Sequence, residues 1–183
     1  MIAFRQGPRL ARLLALLLGV VLVLALTAKS ESPYPDLPLK DLSGQPQSLS
    51  AYKGKILIVN FWATWCGPCR EELPMLNQLA GQYSNRDVAF VAISIDDATT
   101  QSKIPKFLEK KNITLPVWTG ATSDNLLQLG LGKFVPDTLI LDQNGAVICR
   151  IWGEAERKDI TSRVDWLLNG RVGNEPQPLV KHL

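Results

Sequence analysis

The sequence predicts an α/β domain in which a mixed central sheet carries helices on both faces. Three observations point there. The apolar run Ile56–Val59, rich in β-branched residues, leads into a segment with apolar residues at helical spacing. A second apolar run, Val88–Ile95, follows that helix and reads as a strand buried on both faces, so a right-handed βαβ unit is implied. Asp142-Gln143-Asn144-Gly145 is a hairpin turn, which sets the strand Ala146–Trp152 antiparallel to Leu139–Leu141.

The chain has 183 residues and 46% hydrophobic composition, enough for one good core and appendages. Its formal charge of +3 is carried by Arg5, Arg9 and Arg12, the only charges in residues 1–28, leaving 17 basic and 17 acidic residues in the remainder. A neutral remainder argues against nucleic acid as a partner, because such binders concentrate positive charge to release counterions. Three cysteines fit a redox pair plus one thiol better than a disulfide scaffold.

Leu13–Ala28 is an uncharged apolar run of 16 residues behind three arginines. At about 1.5 Å per residue it reaches roughly 24 Å, between a signal-peptide core and a full span of about 30 Å. Arg12 can snorkel and lend Leu10 and Ala11 to the segment, and no clean A-x-A cleavage site precedes Lys29, so residues 1–28 are expected to be an uncleaved signal-anchor. Arginines before the run and none immediately after it keep the N-terminus in the cytoplasm and export the rest. Residues 29–38, polar and proline-rich, are expected to be an extended linker. Residues 39–170 are assigned to the globular domain, opening with a hairpin around Gly44.

The chemistry is carried by Phe61-Trp62-Ala63-Thr64-Trp65-Cys66-Gly67-Pro68-Cys69-Arg70-Glu71-Glu72. Here a strand turns into a helix, with two cysteines at the helix mouth. Unpaired N–H groups and roughly half a positive charge at a helix N-terminus favour thiolate over thiol, lowering a cysteine pKa below its free value of about 8.5. Cys66 is therefore the nucleophile, and Cys69, two residues further on, the resolving thiol. Pro68 suits a first helical turn, where a missing N–H costs nothing. Alternatives are weaker. A closed zinc site needs four ligands and the chain offers only Cys149 and His182 besides the pair. An inert CxxC disulfide closes too short a loop to stabilise much.

FWATWCGPC followed by Arg70-Glu71-Glu72-Leu73-Pro74 resembles the thioredoxin superfamily, and closely its membrane-anchored extracytoplasmic TlpA, ResA and CcmG branch, from about Pro35 to Leu168. The resemblance implies a thioredoxin-like fold with an N-terminal β-hairpin extension and a central helix-strand insertion. It also implies a thiol-disulfide oxidoreductase that reduces exported proteins such as apocytochrome c. Electrons would come from a DsbD- or CcdA-like transmembrane donor, and no cofactor or metal is expected beyond the Cys66–Cys69 pair. The N-terminal extension is also peroxiredoxin-like, but a peroxidatic P-x-x-x-[TS]-x-x-C pattern is missing, with Val59 and Ala63 at its proline and hydroxyl positions. A net oxidant or isomerase, or a copper-handling assembly module, are the alternatives. The copper reading wants a histidine near the cysteines, and His182 is the sole histidine.

Cys69, Glu72, Leu76, Leu79 and Tyr83 share one face of the helix, placing a carboxylate on its apolar stripe one turn from Cys69. Desolvation would raise its pKa and fit it to exchange protons with Cys69, and a glutamate in this place is what the resemblance to ResA implies. The aspartate that thioredoxin carries six residues before its first cysteine is Asn60 here, which cannot titrate. Pro74 removes a helical N–H and is expected to kink the helix.

Residues 96–134 are longer than in minimal thioredoxin, with a helix around Gln101–Lys111, a strand at Leu115–Trp118 and a helix near Ser123–Leu129. The run Glu109-Lys110-Lys111 reads as a solvated helix face. Pro136, before the strand at Leu139, matches the position of the cis-proline of thioredoxin-like folds, which leaves the backbone of the preceding Val135 free to pair with a substrate chain. Trp65, Gly67, Pro68, Val135 and Pro136 are thus the expected substrate-binding residues, Trp65 covering the reactive sulfur. Val135 is apolar where oxidising relatives often carry threonine, which favours a reductant, and Asp137 departs from the commoner small hydroxyl residue. Cys149 reads as a small buried hydrophobe. Ile160, Val164, Leu167 and Leu168 mark the last helix, stopped by Asn169-Gly170, and residues 171–183, aperiodic with two prolines, are expected to be a tail.

Overall fold

The computed structural model describes residues 32–182. The anchor assigned to residues 1–28 and the first part of the linker lie outside the described residues, among which no helix is long and apolar enough to cross a membrane.

An N-terminal hairpin, β1 (Leu39–Asp41) and β2 (Pro46–Gln47), precedes the central strand β3 (Ile56–Trp62). Helix α1 (Gly67–Gln82) follows, then β4 (Val88–Ser94), α2 (Ile104–Lys111), β5 (Val117–Thr119) and α3 (Ser123–Gln128). The chain ends in β6 (Asp137–Leu141), β7 (Val147–Trp152), α4 (Arg157–Leu168) and β8 (Leu179–Lys181). The eight strands form one mixed sheet in the order β2-β1-β5-β4-β3-β6-β7-β8. β3 runs parallel to β4, from Ile56 opposite Val88 to Trp62 opposite Ser94, and antiparallel to β6.

β3 can be apolar throughout because both of its faces are covered. Ile56, Ile58 and Trp62 point into one core with Leu73, Leu76 and Leu79 of α1 and Ile160 and Val164 of α4. Leu57, Val59 and Phe61 point into the other with Leu126 of α3 and Leu49. Each large aliphatic side chain so buried contributes about 1.5–3 kcal/mol. The helices therefore lie on both faces, as the sequence predicted, and α1 is anchored along its length behind the strand that leads into it.

Three expectations change. The second half of the linker is packed: Tyr34 is buried in the core under α3, with its ring against Gly145, where a Cβ would come within 2.6 Å of it. Gly145 can take that contact because it has no side chain and sits at φ +86. The strand of the insertion is at Val117–Thr119, later than Leu115–Trp118, because its pairing with Ala92–Ser94 sets its position. The residues expected as a tail add β8 in parallel to β7, and Arg163 of α4 donates hydrogen bonds from Nε and Nη2 to the Gln177 carbonyl at 3.2 and 2.7 Å. A three-residue edge strand is too short to leave a periodic signature, so only tertiary pairing reveals it.

Candidate active site

Residues 63–66 turn the chain from β3 into α1, and a buried carboxylate fixes that turn. Asp96, just beyond β4, accepts from the Thr64 N–H at 2.8 Å, the Thr64 hydroxyl at 2.6 Å and the Ser94 hydroxyl at 2.8 Å. Parallel pairing of β3 and β4 brings these groups together. Sequence reasoning missed Asp96, whose only signal was a carboxylate directly after a buried strand.

Cys66 is the N-cap of α1, in extended conformation, and its Sγ accepts from the Cys69 N–H at 3.2 Å. Pro68 lies in the first turn, as predicted. Cys66 and Cys69 are disulfide-bonded. Cys66 is 6% exposed and Cys69 fully buried, so an incoming disulfide meets the first sulfur. After reduction, the same amide and the helix dipole act on the Cys66 sulfur and favour its thiolate.

The Val135–Pro136 bond is cis, and the Val135 carbonyl oxygen lies 3.5 Å from Cys66 Sγ. Among the described residues Val135 makes no backbone–backbone hydrogen bond, and its C=O faces Cys66 Sγ. The loop before β6 thus stands beside the reactive sulfur. Trp65 is 58% exposed and Phe134 76% exposed, two aromatic surfaces flanking the two sides of the site in sequence. Phe134 was not singled out from sequence, since an aromatic residue in a loop has no periodicity to mark it.

Glu72 is 2% exposed. Its Oε1 accepts from the Ala155 N–H at 3.0 Å and its Oε2 from Asn60 Nδ2 at 3.3 Å, while Asn60 Nδ2 also donates to Thr138 Oγ1 at 3.0 Å. Burial pushes its pKa up to about 8, against the pull of those two donors and with help from the charges of Glu154 and Asp137. At neutral pH the carboxyl therefore carries its proton. Asp137, directly after Pro136, is also buried, and desolvation raises it to about 6 although the Gly153 N–H donates to it at 3.1 Å. Asn60, which cannot titrate, thus hydrogen-bonds the glutamate that can. A cleft of about 470 Å³ reaches Glu72, lined also by Glu71, Met75, Glu154, Glu156 and His182. His182, expected in a remote tail, is brought here by β8, with Nε2 2.8 Å from Asp159 Oδ2. Cys149 is buried in the core under α1 and α4, where burial raises its pKa.

The profile of the AhpC/TSA family matches residues 31–150, two-thirds of the chain and the whole stretch from the packed linker through the cysteine pair to β7. The chain belongs to the AhpC/TSA family. Among similar proteins, the thiol-disulfide oxidoreductase ResA of Geobacillus thermodenitrificans is 33% identical over 134 residues, covering 73% of this chain and 75% of that protein. The thioredoxin-like protein YneN of Bacillus subtilis is 34% identical over 136 residues, covering 72% and 76%. A solved thiol:disulfide interchange protein of the thioredoxin family from Chlorobium tepidum superposes with a TM-score of 0.60 at 28% identity, over 76% of this chain and 99% of that one. StoA of Bacillus subtilis, at 20% identity and a TM-score of 0.57 over 70% and 98%, shares the fold. This AhpC/TSA protein has a thioredoxin-like fold and is a thiol-disulfide oxidoreductase with a Cys66-x-x-Cys69 pair.

Proposed function

We propose that this AhpC/TSA protein works outside the cytoplasm, held to the membrane by residues 1–28, and reduces disulfides in exported proteins such as apocytochrome c. The observation that carries the reading is the placement of the outer of the two sulfurs, at the mouth of α1, 3.5 Å from the carbonyl of Val135, whose backbone pairs with no other backbone group among the described residues. An extended segment around a substrate disulfide can pair with Val135 while its sulfur meets Cys66 Sγ.

In the reduced protein the Cys66 thiolate attacks one substrate sulfur. The substrate disulfide breaks, the attacked sulfur forms a mixed disulfide with Cys66, and the other substrate sulfur leaves as a thiolate that takes a proton from solvent. Cys69 gives up its proton and attacks Cys66 Sγ, releasing the second substrate thiolate, which is protonated in turn, and closing the Cys66–Cys69 disulfide. Glu72, one helical turn from Cys69, is the group we assign to move that proton: its carboxyl first passes its own proton to water through the cleft, and the carboxylate then takes the proton of Cys69. Two electrons have passed to the substrate, and a dithiol donor of DsbD or CcdA type restores the pair. The apolar Val135 and the Cys66-Gly67-Pro68-Cys69 sequence favour this direction over net oxidation.

The test is capture with Cys69→Ser, which leaves the mixed disulfide on Cys66 unresolved. Exported proteins with paired cysteines should be recovered covalently bound and released by dithiothreitol. Recovery of none from cells expressing the full chain, or of the same set with Cys66→Ser, Cys69→Ser together, would reject the reading.

A further inference from the structure

A groove of about 570 Å³ opens beside the cysteines, and its charge is one-sided. Thr64 and Gly67, which bracket Trp65 and Cys66, form one end. Lys103, Lys106, Lys110 and Lys111 line the α2 side, with Phe107 among them and Arg70 on α1. Five cations face one carboxylate, Glu71. All five are exposed, and among the described residues none is in a salt bridge.

A solvated helix face does not account for this pattern. Lys110 and Lys111, in the last turn of α2, are where the helix dipole favours cations. A 3-10 turn, Gln101–Lys103, runs straight into α2, so Lys103 lies at the junction of the two and Lys106 in the next turn, and no acidic residue of the first turn of α2 pairs with them. Lys106 and Lys110 are also one turn apart, a like-charge spacing that weakens a helix. Arg70 stands likewise in the first turn of α1. Arg70 gains nothing from the dipole of its own helix, and the N-terminus of α1 adds positive potential to the groove. The remainder of the chain beyond residue 28 is neutral overall, so this charge is segregated rather than general.

We propose that the groove binds an acidic polypeptide segment next to the disulfide that Cys66 attacks. The inference rests on the exchange reading of Cys66 and adds a substrate preference to it. A peptide is the occupant because the groove is concave and ends at the residues flanking the reactive sulfur, so a chain held there continues into the site. Phe107, whose ring lies 5.3 Å from that of Trp62, gives the groove an apolar floor for a side chain of that segment. Its charges lie within about 10 Å of a bound segment, where 0.1 M salt still leaves attraction and 0.5 M removes most of it.

Reduced full-length protein in neutral detergent is mixed with three disulfide-looped peptides that differ only in flanking residues, glutamate, serine or lysine, and the second-order rate of peptide reduction is followed by tryptophan fluorescence. The glutamate peptide should react about tenfold faster than the serine peptide at low salt, with the rates converging at 0.5 M NaCl. The variant Lys103→Gln, Lys106→Gln, Lys110→Gln should lose that preference and keep its serine-peptide rate. Equal wild-type rates for the three peptides, or a preference retained by the variant, overturn the proposal, as does lysine-dependent binding to vesicles of anionic lipid without peptide discrimination. If no peptide is reduced, the exchange reading fails alone. Anisotropy of a labelled glutamate peptide with serines for cysteines then decides the groove: lysine-dependent binding supports it and its absence rejects it.

Discussion

Replacing Glu72 by glutamine separates the energetic consequences of a buried acid from the reactivity of the cysteines. In the oxidised protein neither Cys66 nor Cys69 titrates, so stability against pH reports the remaining groups. Glu72 has its pKa raised from 4.5 to about 8, with burial the main cause. The folded state holds this proton more tightly than the unfolded chain, so the stabilisation is complete below 4.5 and is lost as pH rises to about 8. At ~1.4 kcal/mol per pH unit across that window, the fall reaches about 5 kcal/mol. Asp137, raised from 3.8 to about 6, adds a decline of the same sign that ends near pH 6. Glutamine keeps an oxygen for the Ala155 N–H and offers its NH2 to Asn60, whose Oδ1 has no partner. Urea denaturation of the oxidised protein, at intervals between pH 4 and 9, should show wild-type stability falling through pH 6–8. Glu72→Gln should be flat there and the more stable protein at pH 8.5. Parallel curves, or a wild type that gains stability between pH 6 and 8, would refute the assignment of a neutral, buried Glu72.

Two further outcomes follow from the geometry. Asp96→Ala leaves the buried Thr64 N–H and the Thr64 and Ser94 hydroxyls without their acceptor, and should cost about 3 kcal/mol in urea denaturation. It should also loosen residues 63–66, read as faster amide hydrogen exchange there, whereas unchanged exchange would show that the turn is held by other contacts. Ending the chain at Asn174 removes β8, the Gln177 carbonyl that Arg163 bonds, and the His182 partner of Asp159. Scanning calorimetry should report a loss of about 3 kcal/mol, since a buried guanidinium and a strand edge lose their partners, and an unshifted Tm would show that β8 contributes nothing.

The amino-acid sequence alone specified what depends on local pattern. β3 and β4 were legible because strands covered on both faces must be apolar throughout, and the turn Asp142–Gly145 because few residues fit a tight hairpin. The cysteines declared themselves by spacing at a strand-to-helix junction, and Glu72 because one carboxylate interrupts an apolar helical stripe. Tertiary structure decided what depends on partners distant in the chain. Asp96 became the clamp on Thr64 only through the register of β3 against β4, and Asn60 came to Glu72 because β3 and α1 share one core. Lys110 and Lys111, read from sequence as part of a solvated helix face, came to share one groove with Lys103, Lys106 and Arg70 only when folding set α2 beside the start of α1. Hydrophobic periodicity records which side of an element is buried, and carries no mark of which polar groups from other elements will meet there.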